Sequence, residues 1–238
     1  MVGDIRVNLL NWIENNKIWI KDPTKGRILF NLYEYQKHLI EDFDSYKGNI
    51  VFHARQLGIT QTLALYTLAY AVCNFDKNIL IVVTNRETAK HFIKKIVYMY
   101  KRLMRLTLDN EMYSYTKSSI EFFNGTKIYV TDGIEETGCG EASDLIIMDG
   151  AGWFHDFENT YASLFPSIFK NGKCIIASTG YSPSNHLLHE LWENKNNGFH
   201  KTLLNWKVHP ERDERWFRNM EKMCSKEHLQ QEFTLENI

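Results

Sequence analysis

Short, unbroken apolar runs alternate along this chain with longer segments whose apolar residues recur every three or four positions. The runs are Asn49–His53, Ile79–Val83, Leu145–Asp149 and Cys174–Ser178, each bounded by turn-forming residues. Such runs predict strands buried on both faces of a parallel sheet. The periodic segments predict helices. One covers Tyr33 to Asp44, with Tyr35, His38, Leu39 and Phe43 on a shared face, and Lys47-Gly48 breaks it before the first run. Another covers Thr60 to Val72, with Leu63, Tyr66, Thr67 and Tyr70 at helical spacing; others are expected near 87–106, 159–169 and 185–193. Ile120 to Val130 reads as a hairpin turning at Asn124-Gly125. Alternation of this kind argues for an α/β fold with a doubly wound, mostly parallel sheet flanked by helices. Residues 1–30 mix aromatic, charged and turn residues and read as an extension with a short helix and a turn, ahead of one domain over 31–238. Neither an internal repeat nor a low-complexity tract is present.

Composition narrows the class. A chain of 238 residues that is 44% hydrophobic and 13% aromatic suits a single α/β domain. It has no apolar stretch of the roughly 20 residues that a membrane span needs, and Met1-Val2-Gly3-Asp4 lacks a signal pattern, so no membrane role is expected and the protein reads as soluble and intracellular. The four cysteines are scattered without a Cys-x-x-Cys pair and are expected as reduced thiols. His186 and His189 stand three apart, but no cysteine or acid accompanies them at zinc-site spacing. Nor is there a Gly-x-Ser-x-Gly nucleophile motif. A net charge of −1 gives no overall attraction to nucleic acid. Locally, the helix near 87–106 carries Lys90, Lys94, Lys95, Lys101, Arg102 and Arg105 against the single acid Glu87. That face is either a DNA-contacting surface with steep salt dependence or a solvated lysine-rich helix.

Candidate chemistry concentrates where strands end. The segment Ala54-Arg55-Gln56-Leu57-Gly58-Ile59-Thr60-Gln61-Thr62 follows a strand and opens into a helix, which is the layout of a phosphate-binding loop. Gly58 and Thr60 occupy their expected places, the hydroxyl suited to Mg²⁺, but Ile59 stands where a lysine would reach the β/γ-phosphates. Asp149 ends a buried strand, where an aspartate can hold Mg²⁺ through water or simply cap a turn. Gly150 follows it, at a position where a glutamate would orient the attacking water. Ser178 and Thr179 end the next apolar strand, at the sheet edge where ligands bind, and could sense a γ-phosphate. Upstream, the Gln36 amide could meet an adenine edge while the Tyr35 ring supports the base.

In this order the motifs resemble the ATPase domain of the large terminase subunit, the DNA-packaging motor of tailed bacteriophages. Tyr35-Gln36 matches the family's adenine motif, Arg55-Gln56-Leu57-Gly58-x-Thr60 its Walker A loop, and Leu145–Asp149 its Walker B strand. Trp153-Phe154 and His155-Asp156-Phe157 look like the segment after Walker B, and Lys173–Thr179 resembles the strand leading to the coupling motif. The similarity continues through Ser182-Pro183-Ser184-Asn185 and Leu188–Trp192 to Gln230-Gln231-Glu232-Phe233, which resembles the boundary before a nuclease domain; no counterpart of that domain is expected in this chain.

The resemblance implies a P-loop NTPase-type sandwich with an additional strand. It implies ATP and Mg²⁺ held by Tyr35, Gln36, Arg55, Gln56, Gly58, Thr60 and Gln61, with Thr60 and Asp149 on the metal. Arg55 and Asp149 would take the catalytic roles, and Ser178 and Thr179 would couple them to movement. It further implies double-stranded DNA, a portal and a small terminase subunit as partners, a homo-oligomeric ring, and the cytoplasm of an infected bacterial host. The departures fall on one reaction: Ile59, Gly150, Cys139 at what looks like a Gly-Arg-Gly position, and Gly180 in the coupling region. Each of the first two would cost on the order of 10²-fold in rate, unless Arg55 partly neutralises the γ-phosphate and Glu135, Glu136 or Glu141 replaces the missing acid. Two readings follow: a packaging ATPase, or an inactive relative that keeps the fold as a binding or regulatory module. A helicase-like ATPase is a weaker third, since no helicase motifs follow residue 195.

Overall fold

The computed structural model describes residues 8–103, 111–132, 142–170, 172–180 and 185–235. Helix α1 (Leu9–Asn15) and an antiparallel ribbon of β1 (Trp19–Asp22) and β2 (Gly26–Leu29) lead into α2 (Glu34–Ser45). Then come β3 (Gly48–His53), α3 (Ile59–Cys73), β4 (Asn78–Val83) and α4 (Arg86–Tyr100). Three short strands follow, β5 (Met112–Tyr115), β6 (Ser119–Phe122) and β7 (Lys127–Thr131), and after them β8 (Leu145–Asp149), α5 (Phe157–Lys170), β9 (Lys173–Ser178) and α6 (His186–Glu193). The chain closes with β10 (Phe199–Leu204), α7 (Glu214–Glu221), α8 (Lys226–Leu229) and a π-helical turn over Gln230–Thr234.

Eight strands form one sheet in the order β10-β3-β9-β8-β4-β7-β6-β5. The pairs from β10 to β7 are parallel, and β7-β6 and β6-β5 are antiparallel. The sheet is therefore doubly wound and mostly parallel, as the alternation of runs and periodic segments predicts. Strand β9 lies between β3 and β8, and its register brings the ends of all three into line: Ala177 pairs with Val51 on one side and Asp149 on the other. That arrangement is the additional strand of the expected class.

Successive residues of one strand face opposite layers. Leu145 and Ile147 join the cluster containing Leu39, Phe43, Leu63, Tyr66 and Ile96 from α2, α3 and α4. Ile146 and Met148 join Phe157 and Leu164 of α5 and Leu188 of α6. Helix α3 is buried almost all round, from Thr62 to Val72 without a break. A helix with no polar face belongs inside a layer, and its Tyr66 hydroxyl is satisfied by the carbonyl of Phe43 at 3.0 Å.

Several sequence expectations change. On α2 the buried face is Tyr35, Gln36, Leu39, Ile40 and Phe43, while His38 is exposed. Residues 19–29 form the β1-β2 ribbon where only a turn was expected; the Asp22 carboxylate closes it by accepting from the amides of Thr24 at 2.8 Å and Lys25 at 2.7 Å. The basic helix runs from Arg86 to Tyr100, and Arg105 lies outside the described residues. So do Glu135, Glu136, Cys139, Glu141 and Ser182-Pro183-Ser184. Cys73, Cys174 and Cys224 are free thiols. Among the described residues no helix is long and apolar enough to cross a membrane.

Candidate functional site

The site is built where β3 turns into α3. Gly58 caps α3 with φ +74, a left-handed conformation that a side chain would resist, and a Cβ there would meet Nε2 of Gln36 at 2.9 Å. Gln56 also adopts positive φ, at +62, without being glycine. Such a turn persists only when its surroundings hold it. Three groups do so. The Tyr35 hydroxyl and the Gln36 amide donate to the carbonyl of Leu57 at 2.8 and 3.2 Å. Arg212, between β10 and α7, donates through Nη1 to the carbonyl of Arg55 at 3.1 Å and through Nη2 to that of Gln56 at 2.8 Å. The amide of Arg55 donates to the carbonyl of Glu232 at 2.8 Å. With the carbonyls engaged by protein donors, the first turn of α3 presents the positive end of its dipole to the sheet edge, a favourable place for an anion.

Asp149 ends β8 beside this turn and is buried, with the Thr60 hydroxyl near enough to favour its charged form. Burial raises its pKa to about 6, partly opposed by that hydroxyl and by the positive charge of Lys95. Burial likewise lowers the Lys95 pKa, and Asp149 opposes the shift. The Lys95 ammonium, on α4, donates to Oε1 of Gln61 at 3.0 Å, and the other end of that amide contacts Sδ of Met99 at 3.2 Å. Thr60, Gln61, Asp149 and Lys95 thus form one group at the start of α3.

The remaining predicted site residues are placed around it. Gln36 is buried, and both ends of its amide are engaged, Nε2 on the Leu57 carbonyl and Oε1 accepting from the Tyr33 amide at 3.0 Å. Tyr35 is also buried, stacked with Tyr33 at 5.7 Å, and burial raises its phenol well above the usual value. The Arg55 side chain is about half exposed (54%), while the Glu232 carboxylate it pairs with, Nε to Oε2 at 2.9 Å, is 4% exposed. Ser178 accepts from the Gly152 amide at 3.1 Å and donates to the Gly180 carbonyl, and Thr179 accepts from the Trp153 indole at 3.3 Å. Those two hydroxyls tie the end of β9 to the turn after Asp149. Ile59 is buried in the core layer.

Lys95, Arg212 and Glu232 were not singled out as site residues by sequence. Lys95 lay among the other lysines of its helix, and Glu232 within a motif read as a boundary. Arg212 gave no signal, because its partners are backbone carbonyls far away in the chain. On α4 and just beyond its end, Lys90, Lys94, Lys95, Lys101 and Arg102 line a cleft of about 940 Å³, faced by Lys21 of β1 and Lys117 of the β5-β6 turn, and Lys94 and Lys101 are exposed.

A strand, a left-handed glycine turn, a helix, an intervening strand and an acid at the next strand end in the sheet give the topology of a P-loop NTPase-type fold. Its fold is that of large terminase ATPase domains. It superposes on the ATPase domain of the Thermus phage P74-26 large terminase with a TM-score of 0.70 at 14% identity, over 86% of this chain and 93% of that one. The bacteriophage HK97 large terminase matches with a TM-score of 0.72 at 14% identity, over 95% of this chain and 53% of that one. The large terminase of another, thermophilic bacteriophage, in complex with ATP-γ-S, matches at 0.67 and 10% identity, over 86% and 52%. This chain therefore spans about half the length of those last two terminases. No family model and no curated protein matches the sequence.

Proposed function

We propose that this chain is a terminase-type ATPase domain that binds ATP with Mg²⁺ at the β3-α3 loop and couples turnover to the packaging of double-stranded viral DNA. The observation that carries the proposal is the placement of the Thr60 hydroxyl, at the start of α3, near the buried Asp149 carboxylate at the end of β8, beside the left-handed Gly58 turn. Hydroxyl and carboxylate suit a hard divalent cation. Among the described residues no three His, Cys, Asp or Glu cluster as metal ligands, so phosphate oxygens and water would complete the shell. Once bound, Mg²⁺ supplies charge that neutralises phosphate oxygens. Thr60 and Asp149 would hold it, the α3 amides would take the phosphates, and Ser178 and Thr179 would relay changes at Asp149 into β9. The ATP-γ-S held by one of the matching phage terminases supports the choice of ligand. A portal, a small terminase subunit and further copies in a ring, within an infected bacterial cell, complete this reading.

A second reading, a nucleotide-binding module without turnover, is favoured by Gly150. Its left-handed backbone, φ +82, carries no acid to orient water, and Ile59 is buried where a lysine would serve. Calorimetry with ATP, with and without Mg²⁺, beside a phosphate-release assay on the same sample separates the two. Mg²⁺-dependent binding with release supports the motor. Binding without release supports the module, and no binding overturns both.

A further inference from the structure

The phosphate loop contains no lysine, and its nearest arginines are already engaged. Ile59 is packed in the core, Arg55 is paired with the buried Glu232 carboxylate, and Arg212 donates to two loop carbonyls. Lys95 differs in kind. Its ammonium stands beside the first turn of α3, hydrogen-bonded to a neutral partner, the Gln61 amide, at 3.0 Å, and it feels the charge of the Asp149 carboxylate without being paired to it. Met99, four residues further along α4, contacts the other end of the same amide, so two residues of one helix face fix Gln61. An ammonium on a flexible four-carbon stem can turn from a neutral amide toward an anion. Lys95 and Gln61 also line the cleft whose walls carry Lys21, Lys90, Lys94, Lys101 and Lys117, and a concave surface of one charge sign draws anions inward.

We infer that Lys95 supplies from α4 the positive charge that the loop lacks at Ile59, meeting the terminal phosphate of a bound nucleoside triphosphate. The inference rests on the nucleotide-site reading above and adds a residue to it. A cation on the last phosphate discriminates triphosphate from diphosphate, whereas a generally positive cleft favours both.

The test is calorimetric binding of Mg-ATP-γ-S and Mg-ADP to the whole chain and to Lys95→Ala, Lys95→Gln, Lys95→Arg and Lys94→Ala, with thermal melting as the folding check. A charge-assisted contact corresponds to about 10- to 100-fold in affinity. Lys95→Ala should lose that much for ATP-γ-S and less than about threefold for ADP, with Lys95→Arg restoring most of it. Lys95→Gln should show the same selective loss if the alanine variant folds poorly. Lys94→Ala, which removes a cleft charge without removing the Lys95 bond to Gln61, should weaken ATP-γ-S and ADP alike and by less than about threefold. Equal weakening of both nucleotides, or of neither, in the Lys95 variants while the wild type binds would overturn the role of Lys95 and leave the nucleotide site standing. A wild-type chain that binds neither nucleotide removes both.

Discussion

Gly150 is held at φ +82 with its amide on the Ala177 carbonyl at 2.8 Å, and a Cβ there would meet the Thr84 methyl at 2.9 Å. The backbone therefore disfavours any side chain at position 150, an acid included. Gly150→Glu should cost about 1–3 kcal/mol, lowering Tm by several degrees, and add no phosphate release even alongside Ile59→Lys, which places an ammonium in the core layer. Adding Thr84→Ala should recover part of the melting temperature, since it removes the methyl; full stability in Gly150→Glu alone would refute the steric account. Asp149 and His53 make a second prediction, on pH. Burial holds Asp149 at about 6 against an ordinary 3.8, so between pH 4 and 6 the folded form keeps a proton the unfolded form has lost, and stability falls as pH rises. His53, buried with Nδ1 3.0 Å from the Ala54 carbonyl, is lowered to about 4 from 6.5; over nearly the same window the unfolded form binds the extra proton, and stability rises with pH. The slopes oppose each other in the native chain. Asp149→Asn should expose the His53 slope as a loss of roughly 3 kcal/mol from pH 7 to 4, while melting higher than wild type at pH 7.5 because no charge is buried. Denaturant melts across pH would show this, and parallel profiles for the two proteins would contradict it.

At the scale of elements, what was legible depended on burial on both faces. The runs at β3, β4, β8 and β9 read directly because such strands have no polar face, and α2, α3, α4, α5 and α6 followed from spacing. By contrast, β1, β2, β5 and β10 went unread: they are short or edge strands in which exposed and half-buried residues mix, and β10 at the sheet edge is mostly half-buried. The loop itself was legible as a motif, but what holds it was not. Its braces are long-range contacts to carbonyls, which sequence patterns do not register. Arg212 shows the consequence. Its guanidinium lies 4.5 Å from the Trp216 ring and carries two loop carbonyls past a strained Gln56. Arg212→Ala should lower nucleotide affinity about tenfold, consistent with losing one or two charge-assisted bonds, and speed amide exchange at 55–57 with little change in the β8-β9 core. Arg212→Lys should recover only part of the effect, because a point charge cannot bridge both carbonyls as the planar fork does. Unchanged exchange at the loop would show that the turn is held by Tyr35 and Gln36 alone.

Across the whole molecule, the last described segment closes over the site. Leu229, Phe233 and Leu235 are buried, Trp206 stacks on Phe217 at 4.6 Å, and Trp216 meets Phe233 edge-on at 5.8 Å. This aromatic layer places the Glu232 carboxylate against Arg55, the residue read from sequence as catalytic. The pairing changes what an Arg55 variant reports. Arg55→Ala removes the partner of a buried carboxylate, and breaking such a pair from one side costs more than the pair itself contributes. A loss of about 2–4 kcal/mol is expected, moderated by solvent at the half-exposed guanidinium. Reduced nucleotide binding in that variant would then reflect a loosened loop as readily as a lost phosphate contact. Glu232→Gln with Arg55→Ala separates the two. Neutralising the carboxylate should return most of the melting temperature, and any affinity still missing belongs to Arg55 acting on the ligand. If affinity returns with stability, Arg55 is a strut between the C-terminal segment and the loop, and the charge at the phosphates must come from elsewhere in the site.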